Sequence, residues 1–152
     1  MTLTTANKAS VFLSTLVLLL LATETLLAAQ RPLPNPIAVY LGPEFYQQDG
    51  KQWTRYKLAV FNLEEYPNEL FAPAPNLPPC GQNTKAARTW VEITDGAGKR
   101  IYGFCALGSR DDLAKLWFAV ETDTIPPSWV YVILNDRQTG KSYKSNAVET
   151  TE

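Results

Sequence analysis

There is no histidine anywhere in the 152 residues. That absence removes the side chain most often used as a general base near neutral pH and the commonest transition-metal ligand. A serine triad of the usual kind goes with it. Cysteine is scarce, at two residues, and two thiols without an imidazole do not complete a standard zinc site. The charge is close to balanced, 14 Lys or Arg against 15 Asp or Glu, and no basic run supplies the clustered cations that a nucleic-acid partner requires. Gly140-Lys141-Ser142 lacks the upstream glycine of a phosphate-binding loop and reads as turn chemistry. No cofactor and no metal is implied.

Long apolar runs are missing too. Val11 to Ala22 is apolar apart from Ser14 and Thr15, follows a polar start carrying Lys8, and is broken by Thr23-Glu24-Thr25 before Leu26 to Ala29. Such a run falls below the roughly 20 residues that span a bilayer, and the layout is that of a secretory leader removed near Ala29. The expected division is a signal peptide over 1–29, an extended linker over 30–36 set by Pro32, Pro34 and Pro36, a β domain over 37–148 and a tail over 149–152. The protein is then secreted or periplasmic, with membrane attachment only if the leader is uncleaved. All four Trp and all seven Tyr lie beyond the leader, enough apolar area for the core of one domain.

What is present is strand-like. Tyr56, Leu58 and Val60 alternate with Trp53, Arg55, Lys57, Ala59 and Phe61 between Gln52 and Asn62, the period of a half-buried strand. Thr89, Val91 and Ile93 alternate with Trp90, Glu92 and Thr94, and Asp95 to Gly98 turns the chain into a second strand over Lys99 to Leu107. Trp117 to Val120 and Trp129 to Leu134 are apolar, β-branched and aromatic, and a turn at Asn135 to Lys141 leads into a last strand from Ser142 to Val148. Asp111 to Leu116 suits at most a turn of helix, with Asp112 as its cap. Glu64 to Gln82 holds five prolines and reads as a long surface excursion or an edge.

Six or seven short strands in about 110 residues point to an all-β, antiparallel two-sheet sandwich with one long proline-rich loop. This strand count and the closing hairpin "WVYVILNDRQTGKSYKSNAV" resemble the broad immunoglobulin or fibronectin type III sandwich group. A different β-sandwich or a small barrel is the alternative architecture.

An exported chain with two cysteines most simply pairs them. Cys80 and Cys105 enclose 24 residues, and closing that loop would stabilise the fold by about 3 to 4 kcal/mol on chain-entropy grounds. A redox pair is disfavoured by the wide spacing and the missing histidine. Asp111 and Asp112, with Asp95 or Asp136, could ligate calcium or form a hydrolase pair, although adjacent residues in a strand point apart.

Trp53, beside Arg55 and Lys57, and Trp90, beside Glu92 and Thr94, are the expected binding surface, since indoles on polar faces stack on sugars or anchor protein interfaces. The competing reading has the proline segment folded over Trp90, or the sandwich edges burying both rings. Trp129 and Tyr131 are expected in the core. The function expected is a non-catalytic binding or interaction module for a protein or glycan partner; a structural envelope component and a carboxylate-dependent hydrolase are the alternatives.

Overall fold

Asp49 and Gly50 both carry positive φ, 53° and 75°, the tight type I′ turn that Asp-Gly favours and that matches the twist of a hairpin. In the computed structural model, which describes residues 32–77, 88–105 and 107–151 without the side chains of Phe104 and Cys105, this turn joins β1 (Ala38–Gln48) to β2 (Lys51–Val60). Then follow β3 (Thr89–Asp95), β4 (Arg100–Cys105), β5 (Leu116–Glu121), β6 (Trp129–Asp136), β7 (Lys141–Lys144) and β8 (Val148–Glu149). One sheet has the order β1-β2-β5; the other runs β4-β3-β6-β7, with β8 also on β6. Every pairing is antiparallel. The expected two-sheet sandwich is what forms, with eight strands among the described residues where about seven are expected.

Alternation assigns the inner faces. Leu58 and Val60 of β2, Leu116 and Phe118 of β5, Val91 and Ile93 of β3, and Val130, Val132 and Leu134 of β6 are all at most 2 % exposed. They make one continuous apolar layer between the sheets. Tyr56 stacks on Phe118 within that layer, with ring centroids 5.0 Å apart and planes 9° from parallel.

The proline-rich stretch departs from expectation. Two 3-10 turns, Leu63–Glu65 and Asn68–Phe71, drive Tyr66, Leu70 and Phe71 into the core, each at most 3 % exposed. The prolines exclude a helix or an interior strand, but they leave short turns possible, and apolar side chains between them close one end of the sandwich. Tyr66 donates a hydrogen bond to the Pro34 carbonyl at 2.9 Å, and burial pushes its hydroxyl well above the ordinary tyrosine range, with the Glu65 charge adding to the effect.

The stretch before β1 belongs to the domain as well. The compact unit begins at Leu33 rather than Ile37, and Pro36 is buried. Two asparagines hold this entry. Asn62 accepts from Ile37 N at 2.8 Å and donates to Asn35 O at 3.2 Å. Asn146, between β7 and β8, accepts from Ala38 N at 2.9 Å and donates to Ala38 O at 3.0 Å, using one side-chain amide in place of a strand partner.

The short helical turn is present as a 3-10 helix over Arg110–Lys115. Ser109 is its N-cap, and Asp112, three residues on, closes a capping box with it rather than being the cap itself. The expected leader lies outside the described residues, among which no helix is long and apolar enough to cross a membrane.

Candidate functional site

With the inner faces filled, the outer faces are what the molecule presents. Trp53 and Trp90 are both half-buried and lie on the outer faces of opposite sheets, so the structure does not bring them together. Trp90 packs against Gly103 of β4. A Cβ placed on that glycine would lie 2.8 Å from Trp90 Cζ2, so the missing side chain is what admits the ring. The Arg100 guanidinium is 5.6 Å from the Trp90 centroid and bonds Glu92 at 3.4 Å.

Trp129 and Tyr131 correct the sequence reading. Both alternate outward on β6; Trp129 is 47 % exposed, and Tyr131 lies under Lys144, whose Nζ is 3.7 Å from the ring centroid. Their strand is apolar on both faces because the outward side is a second aromatic surface, not because both sides meet the core.

The outer face of the three-stranded sheet is richer. β2 turns Trp53, Arg55, Lys57 and Ala59 outward. The register sets Tyr46 and Glu121 beside Trp53, Ala119 and Glu44 beside Arg55, and Trp117 and Gly42 beside Lys57. Arg55 is clamped between two rings, its guanidinium carbon 4.8 Å from the Tyr46 centroid and 4.7 Å from that of Trp117, a pairing suited to a planar cation. Trp117 meets Tyr102 of β4 at 4.9 Å, so the aromatic row continues over the edge where the two sheets adjoin. At the other end of this face Phe61 is 77 % exposed and Ile37 48 %, with Val39 and Ala59 half-buried below them. Leu41, the extra residue of a bulge between Tyr40 and Gly42, is 53 % exposed.

Tyr46, Trp117 and the Leu41–Phe61 patch did not emerge from the sequence reading. A signal existed for two of them. Asp49-Gly50 places Tyr46 opposite Trp53, and Trp117 must face away from a core that holds Leu116 and Phe118.

The edge of β1 is a poor docking site by comparison. Pro43 has no N–H and sits in register with Tyr56, so its nitrogen must face the open side of the strand. With the bulge at Leu41, it interrupts the row of donors that an added strand would need.

Of the carboxylates considered for calcium or hydrolysis, Asp111 is exposed beside Asp112, and Asp95, Asp112 and Asp136 are each engaged by neighbouring donors. Asp95 Oδ1 accepts from Ala97 N and Lys99 N. Asp112 Oδ2 accepts from Gly108 N and Ser109 N. Asp136, at the opposite end of the β3–β6 ladder from Asp95, takes a bidentate pair from Arg88 at 2.9 and 2.7 Å, with Gln138 N and Thr139 Oγ1 also bonded to it. The Arg88 hydrogen bonds hold the Asp136 carboxyl down at about 2, against the opposing effect of burial. No cluster of three or more metal-ligating side chains occurs among the described residues.

A cleft of about 300 Å³ at this end is walled by Glu69, Pro73, Pro75 and Leu77 and bounded by Arg88 and Gln138. Its arginine is already committed to Asp136. The expected Cys80–Cys105 bridge lies outside the described residues; the Cys105 backbone pairs with Trp90. Comparison of the chain with protein-family models, curated proteins and solved structures gave no match in any of the three.

Proposed function

We propose that this protein is an exported, non-catalytic recognition module that binds a protein partner across the outer face of its three-stranded sheet. The observation that carries this reading is the juxtaposition of exposed Ile37, Leu41 and Phe61 with the clamped row Tyr46, Arg55 and Trp117. Trp, Tyr and Arg dominate protein interfaces energetically, and a contiguous apolar patch beside them is the usual mark of a docking surface. Protein is favoured over glycan on this face because Arg55 already lies against both rings, and stacking a sugar needs a free ring face. The interrupted β1 edge directs a partner to the face rather than the edge.

A glycan reading would rest on the other sheet, where Trp90 is seated over Gly103 beside Glu92 and Asn135, with a sugar displacing Arg100 from its more distant place over the ring. The likeness to immunoglobulin or fibronectin type III modules belongs to the same proposal and is supported by the two antiparallel sheets.

The test is affinity capture from the native compartment with wild-type protein and Phe61→Asp. Because Phe61 is mostly exposed, the variant should fold normally and lose its partner at least about tenfold, the usual cost of spoiling an interface anchor. Undiminished capture by Phe61→Asp and by a second variant, Leu41→Asp, refutes the reading. Acrylamide quenching repeated with a glycan panel addresses the second reading: a ligand-dependent change lost in Trp90→Ala would move the site to the five-stranded sheet.

A further inference from the structure

The outer face of the three-stranded sheet has a cation whose bonding is incomplete. Arg55 Nε is buried with no hydrogen-bond partner. The nearest carboxylate, Glu44, stands 3.6 Å from its terminal nitrogen, beyond the 2.7–2.9 Å of a charge-assisted bond. Lys57, two residues along β2 and about 7 Å away on the same face, is half-buried and in none of the ion pairs among the described residues. Between its neighbours the surface is notched: Gly42, across from Lys57, has φ of 99°, and a Cβ there would meet nothing within 4 Å. Nε, on the side of the guanidinium nearest the strand, is shut off from water, while the Arg55 side chain as a whole remains about one-third exposed. A cation in that state gains more from an incoming anion than a fully hydrated one would.

We propose that Arg55 and Lys57 form a receptor for a carboxylate side chain of the protein partner, so that an acidic residue flanked by apolar ones is the element this face recognises. The inference rests on the face being a protein-binding surface. The partner's carboxylate displaces Glu44 and takes the outer fork of Arg55, with the ring clamp holding that fork in place before binding. Lys57 supplies the second positive charge across the notch at Gly42. Leu41 and Phe61 receive the flanking apolar side chains. Glu44, half-exposed and only loosely paired, keeps the cations from taking up arbitrary anions.

The experiment uses two five-residue peptides, acetyl-Ala-Leu-Glu-Leu-Ala-amide and its Gln counterpart, titrated to about 10 mM, where weak contacts become measurable. The readouts are the Arg55 Nε–H and Lys57 backbone resonances by NMR. The Glu peptide should shift both, and the shift should fall at least about threefold between low and physiological salt. Lys57→Met should weaken it about fivefold, the scale of one exposed ion pair, and Arg55→Lys should weaken it further by losing the fork.

Equal behaviour of the two peptides at the Leu41–Phe61 patch would overturn the carboxylate assignment while leaving face recognition intact. A response to inorganic phosphate but not to the Glu peptide would overturn it in favour of a phosphate group. No shift of any outer-face resonance with either peptide would overturn it outright, and unimpaired capture by Phe61→Asp would then show that the face itself is not the site.

Discussion

Replacing Asp136 with Asn should cost stability in a way that pH exposes. The carboxyl is held at about 2 in place of the ordinary 3.8, which corresponds to about 2 kcal/mol of folding free energy. Because the folded value lies below the unfolded one, this contribution is fully present above pH 4 and is lost as pH falls through about 2. Arg88 shifts upward through the same hydrogen bonds, so the pair is counted once. Asp136 is 5 % exposed and the Arg88 side chain 25 %, and solvent screening is correspondingly modest. At pH 7 the Asn variant leaves a partly buried guanidinium without its counter-charge, and a loss of about 3 kcal/mol is expected. Urea unfolding followed by tryptophan fluorescence from pH 7 to pH 2 reads both quantities. The difference between wild type and variant cancels the other carboxylates, and it should shrink by about 2 kcal/mol across the acid window. A difference independent of pH would refute the argument, because the bond would then be contributing shape rather than charge.

Three further outcomes follow from particular contacts. Gly103→Ala should force the Trp90 ring off the sheet, costing about 1 kcal/mol or more and shifting tryptophan emission; an unchanged spectrum and melting temperature would mean the ring relaxes freely. Asn146→Ala removes two hydrogen bonds to Ala38, and a loss of about 1 to 3 kcal/mol by chemical denaturation is expected, with hydrogen exchange faster at the start of β1 but not in β6. Pro43→Thr restores a donor on the open edge, so sedimentation velocity should show self-association at concentrations where the wild type stays monomeric, with monomer stability changed by less than about 0.5 kcal/mol.

The sandwich was legible because burial alternates cleanly where it matters: Tyr56, Leu58 and Val60, and Thr89, Val91 and Ile93, all face inward as their spacing requires. β1 was not. Its bulge at Leu41, Gly42 and Pro43 breaks the period, and the tip of its hairpin is exposed on both sides, so Asp49-Gly50 was the only local sign of it. The segment after Phe61 misled for a different reason. Proline density reports which backbone bonds are impossible, and it is silent about where Tyr66, Leu70 and Phe71 go between the breaks. The candidate site was half visible. Trp53, Arg55 and Lys57 share a strand and therefore a face, whereas Tyr46 and Trp117 reach Arg55 only through the order β1-β2-β5, a long-range fact that no local pattern encodes.

The amide of Asn146 grips a residue 108 positions earlier in the chain. A polypeptide emerging from its N-terminus can form the β1–β2 hairpin early and hold Ile37 through Asn62, but the two Ala38 bonds to Asn146 form only once residue 146 has been made. That contact closes a far longer loop than the β1–β2 hairpin does, and it is correspondingly slow to form. Any product that stops short of Asn146 would carry an open seam beside Pro36 and Ala38, visible to proteases before a finished molecule would be.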